Sequence, residues 1–329
     1  MPKSKMNLRY FNLKFVVFLF AALINSMALG EEFPSRPIKI VVPFGAGGVA
    51  DLCARAIGEE LSKSLNQAII IENKPGAGGI TASDLVAKAT PDGHTLLLMS
   101  NSNAISANLF NKLPFNTIKD FSPISTIGFF DMAIYVDRHS PYKTLQDLIR
   151  DAKANPTSVS IATINIGSTQ NLTAELIKSK TQLNFQIIPF NNSPAVLTAV
   201  MGKQVSVGID ILTPIISQSN SGNIRILATT GKIRSPFLKN IPSARESGVP
   251  GIEASSWNGL AAPAKTPTLI INQLNAAIKR ALSNQEVKRR LNEIYVSSRA
   301  STPQEMQYLL ESEIVHWGAI IHESKIPKQ

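Results

Sequence analysis

The segment Pro37-Ile38-Lys39-Ile40-Val41-Val42-Pro43-Phe44-Gly45-Ala46-Gly47-Gly48-Val49-Ala50-Asp51 sets a strand against a helix across a glycine-rich turn. Ile38–Val42 is a β-branched, mostly apolar run of strand length, bounded by two prolines. After the glycines, Leu52, Cys53, Ala56, Ile57 and Leu61 recur on one face of a helix over Ala50–Leu65. The same unit then repeats. A strand is expected at Gln67–Ile71, a helix at Ile80–Ala89, a turn at Pro91-Asp92-Gly93 and a strand at Thr95–Met99. Strands alternating with helices imply a parallel, doubly wound α/β sheet covered on both faces. Cys53 then reads as a buried core thiol.

Downstream, a second α/β alternation follows Ser125–Asp137. Thr144-x-x-Asp147 has the pattern of a capping box, and Asn155-Pro156 ends the helix it opens. A strand at Val159–Thr163, a helix over Thr169–Lys178 and a strand at Phe185–Pro189 come next. A helix at Pro194–Met201 stops at Gly202, and strands Gln204–Ile209 and Ile224–Thr229 complete the block. Beyond Pro250-Gly251 two amphipathic helices remain. One carries Ile270, Leu274, Ala277, Ile278 and Ala281. The other opens on Thr302-Pro303-Gln304-Glu305 and carries Met306, Leu309, Leu310, Ile314, Trp317 and Ile321. With no strands of their own to cover, they are expected to pack back on the first unit. The chain then crosses between units twice, and two α/β lobes on such a hinge enclose a cleft. The expected lobes are 31–128 with 254–329, and 129–253.

Upstream, Lys3, Lys5, Arg9 and Lys14 precede the apolar run Phe15–Ile24, which gives way to Ala28-Leu29-Gly30. A basic start, a short apolar core and a small-residue exit make a signal peptide over residues 1–30. A membrane anchor would need about twenty apolar residues. The chain is therefore expected to be exported to the periplasm and cleaved, leaving a soluble product. Four of the chain's net positive charges (+10 over 329 residues) lie in that segment. The rest are scattered, with Lys288-Arg289-Arg290 the densest cluster, read as a solvated helix face. No basic–aromatic interleaving accompanies them, which argues against nucleic acid. A single cysteine excludes an intrachain disulfide framework.

Candidate chemistry gathers at the C-terminal ends of the first lobe's strands, where open α/β sheets bind ligands. Phe44, Gly45, Gly47, Gly48 and Asp51 lie at the first end, Gly76, Ala77, Gly78 and Gly79 at the second, and Asn101 at the third, within Ser100-Asn101-Ser102-Asn103. Glycines let backbone approach a ligand, and helix N-termini present free N–H groups and a positive dipole end. Two such loops side by side suit a carboxylate or a phosphate. Neither matches G-x-G-x-x-G or a P-loop. The second lobe offers Gly167, Ser168 and Thr169 at a strand-to-helix junction. Asp210 follows a buried strand, where it either accepts a donor from the ligand or caps Thr213-Pro214. His94, His139, His316 and His322 show no metal-ligand spacing, and their default positions are on the surface. Gly-x-Ser-x-Gly is absent. No catalytic residue, metal or cofactor is expected.

These stretches resemble the Bug family, the periplasmic substrate-binding receptors of tripartite tricarboxylate transporters. The marks are Pro37–Gly48 with Asp51, Glu72–Gly79, Pro91–Leu97, Arg234-Ser235-Pro236, Glu246–Gly251, Trp257-x-Gly259-Leu260-x-Ala262-Pro263 and Glu313-x-x-x-Trp317. The resemblance implies a two-lobed flytrap fold closing on a small carboxylate. It implies that the two glycine loops hold one carboxylate through backbone N–H groups and water, and that Gly167, Ser168 and Thr169 confer selectivity. Asp210 corresponds to the family's aspartate after the second lobe's fourth strand. The implied partners are a carboxylate ligand and integral membrane transporter subunits, the receptor itself being a monomer.

Two departures stand out: Asn171-Leu172 where many relatives have His-Leu, and Pro189-Phe190-Asn191-Asn192 where many have Pro-Tyr-Lys-Gly. Losing that lysine implies a ligand with a smaller or less negative distal end than a tricarboxylate. Two other functions fit the same residues: a receptor that signals without transport, and an exported α/β enzyme acting on a small anionic metabolite.

Overall fold

The computed structural model describes residues 33–329, and the export signal expected at residues 1–30 lies outside them. Strand β1 (Ile38–Val42) lies between β2 (Ile69–Asn73) and β3 (Thr95–Ser100), all three parallel. Helices α1 (Val49–Leu65) and α2 (Ile80–Ala87) make the two crossovers. Period-two alternation sends Ile40 and Val42 to one face of the sheet and Val41 to the other. The first face packs on Cys53, Ile57 and Leu61 of α1 and on α8 (Thr268–Ser283). The second packs on α3 (Asn101–Leu109) and α10 (Pro303–Glu323). Cys53 is buried as expected, its thiol pushed up to about 12 chiefly by burial.

The sheet is mixed rather than wholly parallel. Strand β4 (Phe121–Asp137) runs antiparallel to β9 (Ser255–Pro263) along its first part. From Met132 onward β4 pairs instead with β7 (Val207–Ile211) and β8 (Ile224–Thr229). One long strand thus serves both lobes. The second lobe continues through β5 (Ser160–Ile164) and β6 (Gln186–Phe190), parallel to β7, so the strand order is β2-β1-β3-β9-β4-β7-β5-β6. Helices α4 (Leu145–Ala154), α5 (Thr169–Thr181), α6 (Ser193–Met201) and α7 (Leu212–Asn220) cover it. The chain returns to the first lobe at Ala254-Ser255. Thr230 ties both crossings together: its hydroxyl donates to the Ala254 carbonyl at 2.6 Å and accepts from the Met132 amide at 3.0 Å.

The lobes also touch on either side of these crossings. Leu172 and Leu176 of α5 join the first lobe's cluster with Leu109, Leu310 and Trp317. Opposite, the Thr213 hydroxyl donates to the Ile294 carbonyl at 2.7 Å, just past α9 (Gln285–Glu293). Several expectations shift. β2 begins two residues later than expected, because Asn66 closes α1 in the left-handed region and Gln67-Ala68 form the link. Ser255–Pro263 and Leu212–Asn220 form a strand and a helix that local pattern did not reveal. His94 is buried, edge-on to the Phe33 ring, rather than at the surface. Arg289 and Arg290 lie on a solvated face and pair with Glu286, Glu293 and Glu59.

Candidate functional site

A cavity of about 240 Å³ lies between the lobes. Its first wall begins where β1 turns into α1. Gly47 has φ +80, a left-handed conformation that favours glycine, and Gly48 caps α1 without a side chain. The first-turn N–H groups of α1 are therefore free of any capping side chain, and Phe44, Gly48, Val49 and Ala50 line the cavity. Asp51 does not. It is buried behind the loop, where Oδ2 accepts from the Gly47 amide at 2.8 Å and from Arg55 Nε at 3.0 Å. Arg55 also donates to Asn73 Oδ1 at 3.4 Å, and Asn73 Nδ2 donates to the Phe44 carbonyl at 3.0 Å. Burial alone would raise the Asp51 carboxyl, but the bonds from Arg55, Gly47 and Asn73 outweigh it and hold the group below its ordinary value. Asp51, Arg55 and Asn73 form a clamp that shapes the first loop.

The second glycine loop stands behind the first. Gly76, Gly78 and Gly79 all have positive φ, and Ala77–Gly79 make a single 3₁₀ turn. A Cβ on Gly79 would come within 3.2 Å of Pro43 and 3.4 Å of the Ser102 hydroxyl. The Gly78 carbonyl accepts from Ser106 at 3.1 Å. These glycines let the loop nest between the first loop and α3, outside the cavity lining. The third strand end supplies Ser100 and Ser102, whose hydroxyls lie 2.9 Å apart. Asn101, the residue singled out there from sequence, turns away and donates to the Ser255 carbonyl at 2.8 Å. Ser256 and Asn258 line the floor from one face of β9, while Trp257 faces the core.

The second wall is built at the N-terminus of α5. Ser168 caps it: Oγ accepts from the Asn171 amide at 3.1 Å and donates to the Ile164 carbonyl at 3.1 Å. Ser168, Thr169 and Gln170 line the cavity, as does Ser193 at the start of α6. Gly167 has φ +80 and sits against the first lobe; a Cβ there would meet Leu109 Cδ2 at 2.3 Å. Asp210 is fully buried and neither lines the cavity nor caps Thr213-Pro214. Its Oδ1 accepts from Gln170 Nε2 at 3.0 Å and from the Ile211 amide at 2.8 Å. Burial pushes its carboxyl up, against hydrogen bonding from Ser193, Gln170 and Ile211. Asn171 supports the same junction by accepting from the Gly167 amide at 3.2 Å.

Phe130 and Met132 of the shared strand and Ile211 close the base of the cleft. Among the described residues, no Lys, Arg, His, Asp or Glu lines the cavity. What the site offers is hydroxyls, amides and helix N-termini, each of the last worth roughly half a positive charge. Such a set can hold an anion by hydrogen bonds and dipoles. Ser100, Ser102, Ser193, Ser256 and Asn258 were not among the residues chosen from sequence. Ser100 and Ser102 belong to the Ser100-Asn101-Ser102-Asn103 segment at the third strand end. Period-two alternation around Trp257 would have marked Ser256 and Asn258 had that stretch been read as a strand.

Among the described residues, no cluster of three metal-ligating side chains and no helix long and apolar enough to cross a membrane occurs. Residues 53–326 match the model of the tripartite tricarboxylate transporter family receptor. The chain is 30% identical to Protein BugT of Bordetella pertussis over 94% of its own length and 95% of that protein's. Among solved structures it is similar to Rpa4515 of R. palustris with adipate, at TM-score 0.82 and 31% identity over 90% of this chain and 99% of that one. MatC from Rhodopseudomonas palustris with bound malate matches at TM-score 0.76 and 31% identity, over 88% of this chain and all of the other.

Proposed function

The chain belongs to the tripartite tricarboxylate transporter receptor family, and we propose that it is a periplasmic receptor that binds a small carboxylate between its lobes and delivers it to integral membrane transporter subunits. The observation that carries this is the interlobe cavity, lined by neutral donors at the starts of α1, α3, α5 and α6 and by no charged side chain. A receptor needs an anion cradle between two lobes. Catalysis needs groups set against a reacting bond, and the cradle pairs no base with a nucleophile. Two relatives with bound dicarboxylates, adipate and malate, fit the same chemical class.

In this proposal Phe44, Gly48, Ser168 and Thr169 meet the ligand together with Ser100, Ser102 and Ser193. Asp51, Gly47 and Gly76–Gly79 shape the first wall, and Asp210 orients Gln170 in the second. The lobes comprise 31–128 with 254–329, and 129–253, and an export signal over 1–30 is removed.

Melting the purified mature chain against mono-, di- and tricarboxylates tests the proposal. A ligand at a hundred times its dissociation constant adds about 2.7 kcal/mol of stability, which raises Tm measurably. The bound acid should be recovered chemically unchanged. A panel in which no carboxylate moves Tm, or a recovered product, overturns the receptor. Citrate as the tightest ligand would overturn only the expectation of a smaller distal end.

A further inference from the structure

We propose that Tyr295 is a positioning residue that latches the two lobes together, holding the cleft closed before any ligand enters. It ends α9 at a point outside the cavity lining. The Tyr295 N–H donates to the Asn292 carbonyl at 3.0 Å, and the Val296 N–H donates to the Leu291 carbonyl at 2.9 Å. Such a pair of bonds closes a helix on a left-handed residue, and glycine is the usual occupant of that position. Tyr295 takes it up at φ +60. Among the described residues, the other non-glycine residues with positive φ are Asn66, Gln182, Lys203, Lys265 and Lys325, so Tyr295 is the one aromatic. A bulky side chain there costs free energy that glycine avoids. Strain of this kind persists only where the surroundings hold it, and it points to what the side chain does.

The ring reaches the other lobe. Val296, the next residue, is buried in the first lobe's core, whereas Tyr295 packs against the second lobe's cluster with Leu212, Ile215 and Ile216 of α7. Its ring meets Phe237 edge-on, with centroids 5.6 Å apart and planes at 84°, a favoured aromatic geometry. One residue earlier, the Ile294 carbonyl accepts the Thr213 hydroxyl at 2.7 Å. Thr213 stands two residues after Ile211, which lines the cavity. On the opposite flank, Leu172 and Leu176 join Leu109. None of these gripping residues lines the cavity. They therefore favour the closed arrangement with the cleft empty as well as filled. The apparent affinity of a ligand rises with the fraction of molecules already in the competent state.

Small-angle scattering on the ligand-free mature chain tests this with no choice of ligand. Tyr295→Gly supplies the residue that the helix ending favours, so it should retain a cooperative melting transition. Its radius of gyration should exceed that of wild type, and so should that of Phe237→Ala. The double variant should open no further than the wider of the two, because each substitution removes the same contact. Tyr295→Phe keeps the ring and should match wild type. A folded Tyr295→Gly with the wild-type radius overturns the inference, as does a Tyr295→Phe that opens equally far. Loss of the melting transition in Tyr295→Gly also overturns it, since the ring would then be needed for folding itself. None of these outcomes touches carboxylate binding, so the receptor function stands or falls separately on the melting panel.

Discussion

Arg55 is about half exposed, yet it governs what the buried Asp51 does. The aspartate holds the Gly47 amide and so fixes the loop whose free N–H groups face the cavity. Its folded carboxyl lies below the ordinary value, so ionised Asp51 stabilises the fold above about pH 4, and that contribution is lost as pH falls through the folded value. Arg55→Met removes the guanidinium's hydrogen bond to Asp51 and its nearby positive charge, so burial is opposed by fewer bonds and the carboxyl moves up. The variant should melt below wild type at neutral pH, with the gap closing as pH falls through the folded value of the wild-type Asp51 carboxyl. Ligand affinity should drop severalfold. Melting curves across pH check the sign, and a gap that widens in acid would contradict it. Sequence pointed to both Asp51 and Asp210 as site acids. It did not show that each carboxylate turns to the protein, because that depends on partners such as Gln170, 40 residues before Asp210.

Helix α5 does two jobs along one length. Its first turn lines the cavity, while Leu172 and Leu176 pack into the first lobe's core. Gly167 joins the two, with φ +80 and no room for a Cβ beside Leu109. Gly167→Ala should cost roughly 1–2 kcal/mol from the left-handed backbone and should also push the lobes apart. Affinity should then drop further than stability. Leu109→Ala in the same chain should restore part of the affinity while leaving the backbone cost in place, and a double-mutant cycle by calorimetry separates the two. Additive losses would mean that the contact does not couple the lobes. The capping boxes at Thr144 and Thr302 and the stripe of α1 were legible in sequence because each is set by neighbours within a few residues. β9 and the antiparallel course of β4 were not. Their pairing joins Phe121 to Pro263 and Asp131 to Ser255, and such register is written in distant contacts rather than local period.

The chain's charge of +10 is kept away from the place where charge is to be recognised. Four of the cationic residues precede the described region, and the clustered Arg289 and Arg290 are matched by surface acids. Between the lobes an anion instead meets helix ends and hydroxyls. Salt screens exposed charges within about a Debye length but acts weakly on interactions inside a cleft. Binding equilibrium and encounter should therefore respond differently to salt. The dispersed positive surface draws an anion in, so the association rate should fall as salt rises. Dissociation constants measured at about 20 mM and about 300 mM sodium chloride should nonetheless agree within about threefold, because the contacts that retain the ligand are buried dipoles. A loss of about tenfold or more over that range would mean that exposed lysines and arginines, and not the helix N-termini, hold the carboxylate.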